Sequence, residues 1–177
     1  MKIAIGLGNP GEQYQETRHN AGFIVLAAYA RRFSPDSKWS DSSKFFAHLN
    51  ETPHALLAQP QTFMNDSGKT AQALTHFYKL TDFNDLFVIH DDLDLELGSY
   101  KIQKGTGPKI HNGLLSIYQH LGTKDFWHVR VGVDSRQGDR SMPGQAYVLQ
   151  KISGDENIVF AQMLERLTAE LDQLWQR

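Results

Sequence analysis

Near neutral pH a proton is most readily taken up by an imidazole, and among the eight histidines of this 177-residue chain His19 has the neighbours that such chemistry needs. It stands in Thr17-Arg18-His19-Asn20-Ala21-Gly22, shortly after an apolar run that ends in Gly8-Asn9-Pro10-Gly11. The chain has no cysteine, which excludes a thiol nucleophile, a disulfide and cysteine-ligated zinc. A hydrolase of esters or amides that uses neither thiol nor metal needs a general base to activate water. It also needs a carboxylate on the base's second nitrogen, to fix the tautomer and stabilise the imidazolium as it forms. Asp91, in His90-Asp91-Asp92-Leu93-Asp94, is the carboxylate expected in that place. Asn9, Asn65 and Asn112 lie in loops that carry glycine or proline. Singly, each would pass as a turn or cap residue. Together at a crevice, their amides can donate to a carbonyl oxygen and stabilise it as negative charge develops. His48, His54, His76, His120 and His128 are read as surface or packing residues.

Two other constellations carry less. Gly6-Leu7-Gly8-Asn9-Pro10-Gly11 spells G-x-G-x-x-G after a strand. A dinucleotide site, however, needs its third glycine to open the helix and an acidic residue ending a second strand about twenty residues later. Here the helix is expected only after His19, and Arg31-Arg32 occupy the region where the acid should be. The glycines are read instead as shaping a tight turn that presents Asn9. The run Asp91 to Glu96 lacks the ligand spacing of a divalent-cation loop. Its alternating Asp92, Asp94 and Glu96 are expected on one solvated face, and no metal is expected.

The elements that must position these residues follow from hydrophobic periodicity. Lys2 to Leu7 reads as a buried strand, continuous rather than alternating, as in a sheet covered on both faces. A helix is expected from Ala21 to Arg32, and strands over Lys44–Asn50 and His54–Gln59 as a hairpin. A loop from Pro60 to Gly68 should lead into a helix to about Tyr78 with Ala71, Leu74 and Phe77 inward, capped by Asn65 or Asp66. Leu86–Ile89, Tyr100–Gln103 and Trp127–Val133 read as strands, and Asn112 to Leu121 as a helix opened by the glycine-broken loop Lys104–His111. Residues 134 to 145 read as a surface loop. Asp155 to Trp175 reads as a closing helix on Ile158, Met163, Leu164, Leu167, Leu171 and Leu174. Strands interleaved with helices predict one α/β domain over 1–177, a mixed central β-sheet with helices on both faces, and a ligand crevice beyond the carboxyl ends of the strands.

Apolar residues at 40% and charged residues at 21% describe a soluble globular chain, with no apolar stretch long enough to span a membrane and no signal-peptide layout, so a cytoplasmic setting is expected. The net charge of −2 is unevenly spread. Residues 100 to 151 hold eight Lys/Arg against three acids, and the rest holds ten against seventeen. One basic face on an acidic body suits a phosphate backbone.

Gly6-Leu7-Gly8-Asn9-Pro10-Gly11, Tyr14, Thr17-Arg18-His19-Asn20-Ala21-Gly22, Gln61-Thr62-Phe63-Met64-Asn65-Asp66-Ser67-Gly68, His90 to Asp94, His111-Asn112-Gly113 and Val129-Arg130-Val131-Gly132 together resemble the bacterial peptidyl-tRNA hydrolases, in order over about the first 150 residues. The resemblance implies a monomeric α/β enzyme that needs no cofactor. Such an enzyme cleaves the ester joining a peptide to the terminal ribose of tRNA and so recycles tRNA from aborted translation. It further implies His19 as the base, Asp91 as its orienting carboxylate and Asn9 as the amide that places the reacting carbonyl or water. Asn65 and Asn112, with Phe63 and Met64 of the same motif, would contact the peptide and the tRNA 3′ end, and Tyr14 would border the terminal nucleotide. For the tRNA 5′-phosphate, Arg130 matches the family's arginine. Gln103 falls where its lysine is expected, which leaves Lys101 or Lys104 to substitute. The family commonly has paired glycines before His-Asn-Gly, whereas here Gly107-Pro108-Lys109-Ile110 precedes His111.

Overall fold

A computed structural model describes all residues 1–177. The N-terminal apolar run becomes β1 (Lys2–Gly6), and Ile3, Ala4 and Ile5 are fully buried because both faces of this strand are covered. In chain order there follow α1 (Ala21–Phe33), β2 (Ser40–Ser42), β3 (Ala47–Glu51), β4 (Ala55–Pro60), α2 (Ser67–Phe77), β5 (Leu86–Glu96), β6 (Tyr100–Lys104), α3 (Asn112–Leu121), β7 (Trp127–Asp134), the single turn α4 (Gly144–Tyr147) and α5 (Glu156–Trp175). The seven strands form one sheet in the order β2-β3-β4-β1-β5-β7-β6. β4, β1, β5 and β7 run parallel, while β2, β3 and β6 are antiparallel to their neighbours, which makes the sheet mixed.

Alternation along the strands splits the core in two. Ala4, Leu57, Phe87, Ile89, Val129 and Val131 face α1 and α5, where Val25, Leu26, Met163, Leu167 and Leu171 close the layer. Ile3, Ile5, Leu56, Ala58 and Val88 face α2 and α3, against Ala71, Leu74, Leu114 and Ile117. The chain leaves β1 toward β4 by way of α1 on one face, then returns from β4 over β1 to β5 by way of α2 on the other. β1 is therefore the switch point of the sheet, and the loops after β1 and β4 meet the carboxyl half of β5 at one edge.

Several local expectations change. Ser40–Ser42 adds a short polar edge strand to the hairpin, whose first strand starts only at Ala47 because Ser43–Phe45 forms a 3-10 turn. Asp66 stands at the N-cap of α2 without a side-chain capping bond and pairs instead with Lys69. Phe77, expected inward, is 50% exposed, and so is Ile158 at 62%; Phe160 takes the core position at the start of α5. β5 continues past Ile89 to Glu96 because β7 and the turn before β6 give it partners. Of the alternating acids, Asp94 and Glu96 are exposed as expected, but Asp92 is buried and forms an ion pair with Arg130.

Candidate active site

His19 sits in a 3-10 turn (Arg18–Asn20) that runs directly into α1. This turn can lie over the end of β1 only because the helix starts with glycine. A Cβ on Gly22 would stand 2.3 Å from the Leu7 nitrogen and from the Ile89 carbonyl oxygen, and one on Gly6 would stand 2.5 Å from the Gly22 carbonyl oxygen. The glycines that imitate a nucleotide fingerprint thus serve, in part, to bring helix and strand backbones together. From this seat His19 Nδ1 lies 3.0 and 3.1 Å from the two carboxylate oxygens of Asp91 on β5. Burial works against the charged imidazole, but the Asp91 charge and hydrogen bond outweigh it and hold His19 above its ordinary value of 6.5. Burial alone would raise the Asp91 carboxyl; His19 and His111 instead hold it far below the carboxylate range. With Nδ1–H committed to Asp91, Nε2 is the nitrogen left to take a proton from water.

The same carboxylate has a second partner that the sequence reading did not single out. His111, at the N-cap of α3, reaches Asp91 Oδ1 from the opposite layer with Nε2 at 2.8 Å. The one signal in the sequence is its place in His111-Asn112-Gly113 at a helix start, which is equally that of a capping residue. His19, Asp91 and His111 each place a ligand atom within 4.8 Å of the others. As arranged, the carboxylate is the acceptor for both rings, so the group is a hydrogen-bond network rather than an open coordination set.

Asn9 joins the site through reciprocal bonds. Its backbone N–H donates to Asn20 Oδ1 and its carbonyl accepts from Asn20 Nδ2, both at 2.9 Å, which ties the Gly8–Gly11 turn to the residue after His19. The Met64 N–H donates to Asn9 Oδ1 at 2.9 Å, so the amide is oriented with its NH2 group free to donate. Met64 itself is buried under α3, where its sulfur would meet a Cβ on Gly113 at 2.6 Å. Phe63, at 68% exposed, and Asn65 stand out from the loop after β4, Asn112 is exposed at the start of α3, and Tyr14 is half-buried.

The turn bearing His19 is anchored from the far end of the chain. The His19 N–H donates to the Val148 carbonyl at 2.8 Å and the Arg18 N–H to the Gln150 carbonyl at 3.0 Å, while Thr17 forms a β-bridge with Lys151. The buried Arg18 guanidinium secures this strap: it donates to the Lys151 carbonyl, Ser135 Oγ and Glu156, and lies 4.5 Å over the ring of Tyr147.

The expected phosphate residues separate. Arg130, 8% exposed, is directed by Nε to Asp92 and by Nη1 to Gln103 Oε1, at 2.7 and 2.8 Å. Lys101 is exposed directly across the β6–β7 ladder from Arg130, hence on the same face of the sheet. Lys104 is not brought to them: it lies opposite Trp127 on the other face, held by Asn84 and by Asp125. Much of the basic segment is neutralised in this way, since Asp134 pairs with Arg136 and Arg140, and Glu16 with Lys151. Lys101, Lys109 and Lys124 have no acidic partner. Lys109 and Lys124 line a cavity of about 390 Å³ with Thr106, Asn112 and Tyr118, between the loop before His111 and α3.

The sequence profile of the peptidyl-tRNA hydrolases matches residues 3–177. The peptidyl-tRNA hydrolase of Methylobacillus flagellatus is 40% identical over 177 residues, covering 98% of this chain and 90% of the relative. That of Mycoplasma capricolum is 39% identical over 157 residues, 88% of this chain and 83% of the relative. Among solved structures, the peptidyl-tRNA hydrolase of Acinetobacter baumannii superposes with a TM-score of 0.88 at 27% identity, over 99% of this chain and 89% of that one. No helix is long and apolar enough to cross a membrane. By profile, by relatives and by fold, the chain belongs to the peptidyl-tRNA hydrolase family.

Proposed function

We propose that this chain hydrolyses the ester between a peptide and the terminal ribose of tRNA, with His19 as general base. The observation that carries the reading is the His19–Asp91 contact at the carboxyl edge of the sheet, beside an Asn9 amide whose orientation Met64 fixes. His19 Nε2 takes a proton from water as the oxygen attacks the ester carbonyl, and Asp91 stabilises the imidazolium. The Asn9 NH2 donates to the oxygen that becomes negative. Collapse of the tetrahedral intermediate breaks the bond to the ribose oxygen, which leaves with the proton from Nε2. Exposed Phe63 and Asn65 on one lip and Asn112 on the other suit the peptide and the 3′ end, with Tyr14 nearby on the loop before His19. Lys101, Lys109, Lys124 and the edge of Arg130 suit backbone phosphates, which a chain with net charge −2 meets through one face only.

The test is peptide release from a purified peptidyl-tRNA in EDTA. Native protein is expected to turn over, His19→Ala to lose activity by at least 10³-fold, and substrate affinity to fall steeply between about 50 and 200 mM salt. Binding of tRNA without release would make the protein a carrier. Equal activity on a free aryl ester would make it a general esterase.

A further inference from the structure

Asp91 serves two imidazoles, and only one of them faces the crevice. The His111 side chain is 4% exposed, so it acts on the carboxylate and not on a bound ester. Its tautomer is set by its surroundings: the Leu114 N–H donates to His111 Nδ1 at 3.3 Å, the capping bond of α3, so the ring carries its proton on Nε2. That Nε2–H points at Asp91 Oδ1 from 2.8 Å, and His19 shares the same oxygen at 3.0 Å. The two rings lie 5.2 Å apart with the carboxylate between them.

A carboxylate that already accepts a short hydrogen bond from a fixed donor is a weaker acceptor for the next one. We propose that His111 is a positioning residue that sets the proton affinity of His19: it holds Asp91 in place and draws off part of the charge that would otherwise keep His19 protonated. This rests on the reading of His19 as the base.

Few other charges act on His19. From its own turn, Arg18 is directed away to Glu156. From the strap, Val148 contributes only a backbone carbonyl. From β5, besides Asp91, His90 lies behind His111 at 5.5 Å with Nδ1 on the Asp91 carbonyl. Asp91 is thus the charge that acts on His19, and His111 reaches His19 through it.

The experiment compares H111F with H111Q. Both lose the ring nitrogen that caps α3, but the glutamine amide still offers an N–H about where Nε2 stood. In H111F, the NMR titration of His19 in the free protein and the acidic limb of the kcat/KM profile are expected to move to higher pH by about one unit, with the alkaline plateau reduced less than tenfold. In H111Q both are expected within about 0.3 units of native. A His19 titration that stays put or moves to lower pH in H111F would overturn the proposal, as would equal shifts in both variants. If H111F does not fold, H111N, whose shorter amide can still cap α3 but does not reach Asp91, takes its place: an upward move of the His19 titration by about one unit upholds the proposal, and a titration that stays put or moves to lower pH overturns it. Native protein that fails to release peptide while the His19 titration of H111F shifts as described would sink the peptidyl-tRNA reading alone.

Discussion

At the scale of single residues, the site poses an acid–base balance that can be read out directly. As the proposed base, His19 must be unprotonated to act and is held above 6.5, so kcat/KM should be flat at alkaline pH and fall tenfold per unit below that raised value. In Asp91→Asn the group that raises His19 is gone while the burial that lowers it stays. The acidic limb is therefore expected to move below 6.5 even as the plateau drops by roughly 10²-fold or more from a wrongly held tautomer. A pH–rate profile of this variant checks both parts, and an unmoved limb would leave Asp91 without the orienting role. The pairing of His19 with Asp91 was legible because a histidine beside asparagines and an acid after an apolar strand are local patterns. His111 was not: a histidine before a helix reads as a cap, and its reach to Asp91 exists only once α3 and β5 meet across the sheet. Asp92 failed in the opposite direction, since alternation promised solvent and the pairing of β7 with β5 supplied Arg130.

Among the elements, the approach of α1 to the sheet does the most to place His19. A methyl group at Gly22 would press on the Leu7 nitrogen and the Ile89 carbonyl, which are themselves hydrogen-bonded at 2.8 Å and join β1 to β5. Neither backbone can yield without opening that ladder. Gly22→Ala is accordingly expected to cost roughly 3 kcal/mol, about 10 °C in Tm by calorimetry. It should also lower kcat at temperatures where the variant is fully folded, because the displaced turn carries His19 three residues earlier. A native Tm would mean that the helix can slide without cost. Element order and type were legible wherever periodicity ran long, as in β1, α1 and α3. The three-residue strand β2 is polar and at an edge, so no pattern marks it. Phe77 and Ile158 lie toward the ends of their helices, where helical spacing continues but the sheet beneath does not.

For the molecule as a whole, two buried histidines make the fold sensitive to acid. Burial, with His111 nearby, pushes His90 down to about 3, and burial pushes His128 down to about 4, where it accepts from the Tyr118 hydroxyl at 2.9 Å. Both rings are neutral in the fold and take up protons near 6.5 once unfolded. The stability they allow is thus whole above 6.5 and declines as pH falls toward their folded values. His19 works the other way, adding stability below 6.5 that is lost as pH rises through its raised value, so it does not offset the acid decline. Between pH 6.5 and 5 the loss is expected to be about 3 kcal/mol, or roughly 10 °C in Tm. A Tm that is level over this interval would show the buried rings to be protonated or solvated. The three-layer α/β plan and the single basic segment were legible at this scale, whereas the pairing of Arg130 with Asp92, Lys104 with Asp125 and Lys151 with Glu16 was not, because those pairs join residues distant in the chain. The strap that pins His19 has a consequence in time. The proposed base, carboxylate and amide all lie before residue 92, yet the His19 N–H is fastened to Val148, the Arg18 N–H to Gln150 and the Arg18 side chain to Glu156. During synthesis from the N-terminus, the reacting groups emerge long before the segment that holds them still, so the finished site is among the last features the growing chain acquires.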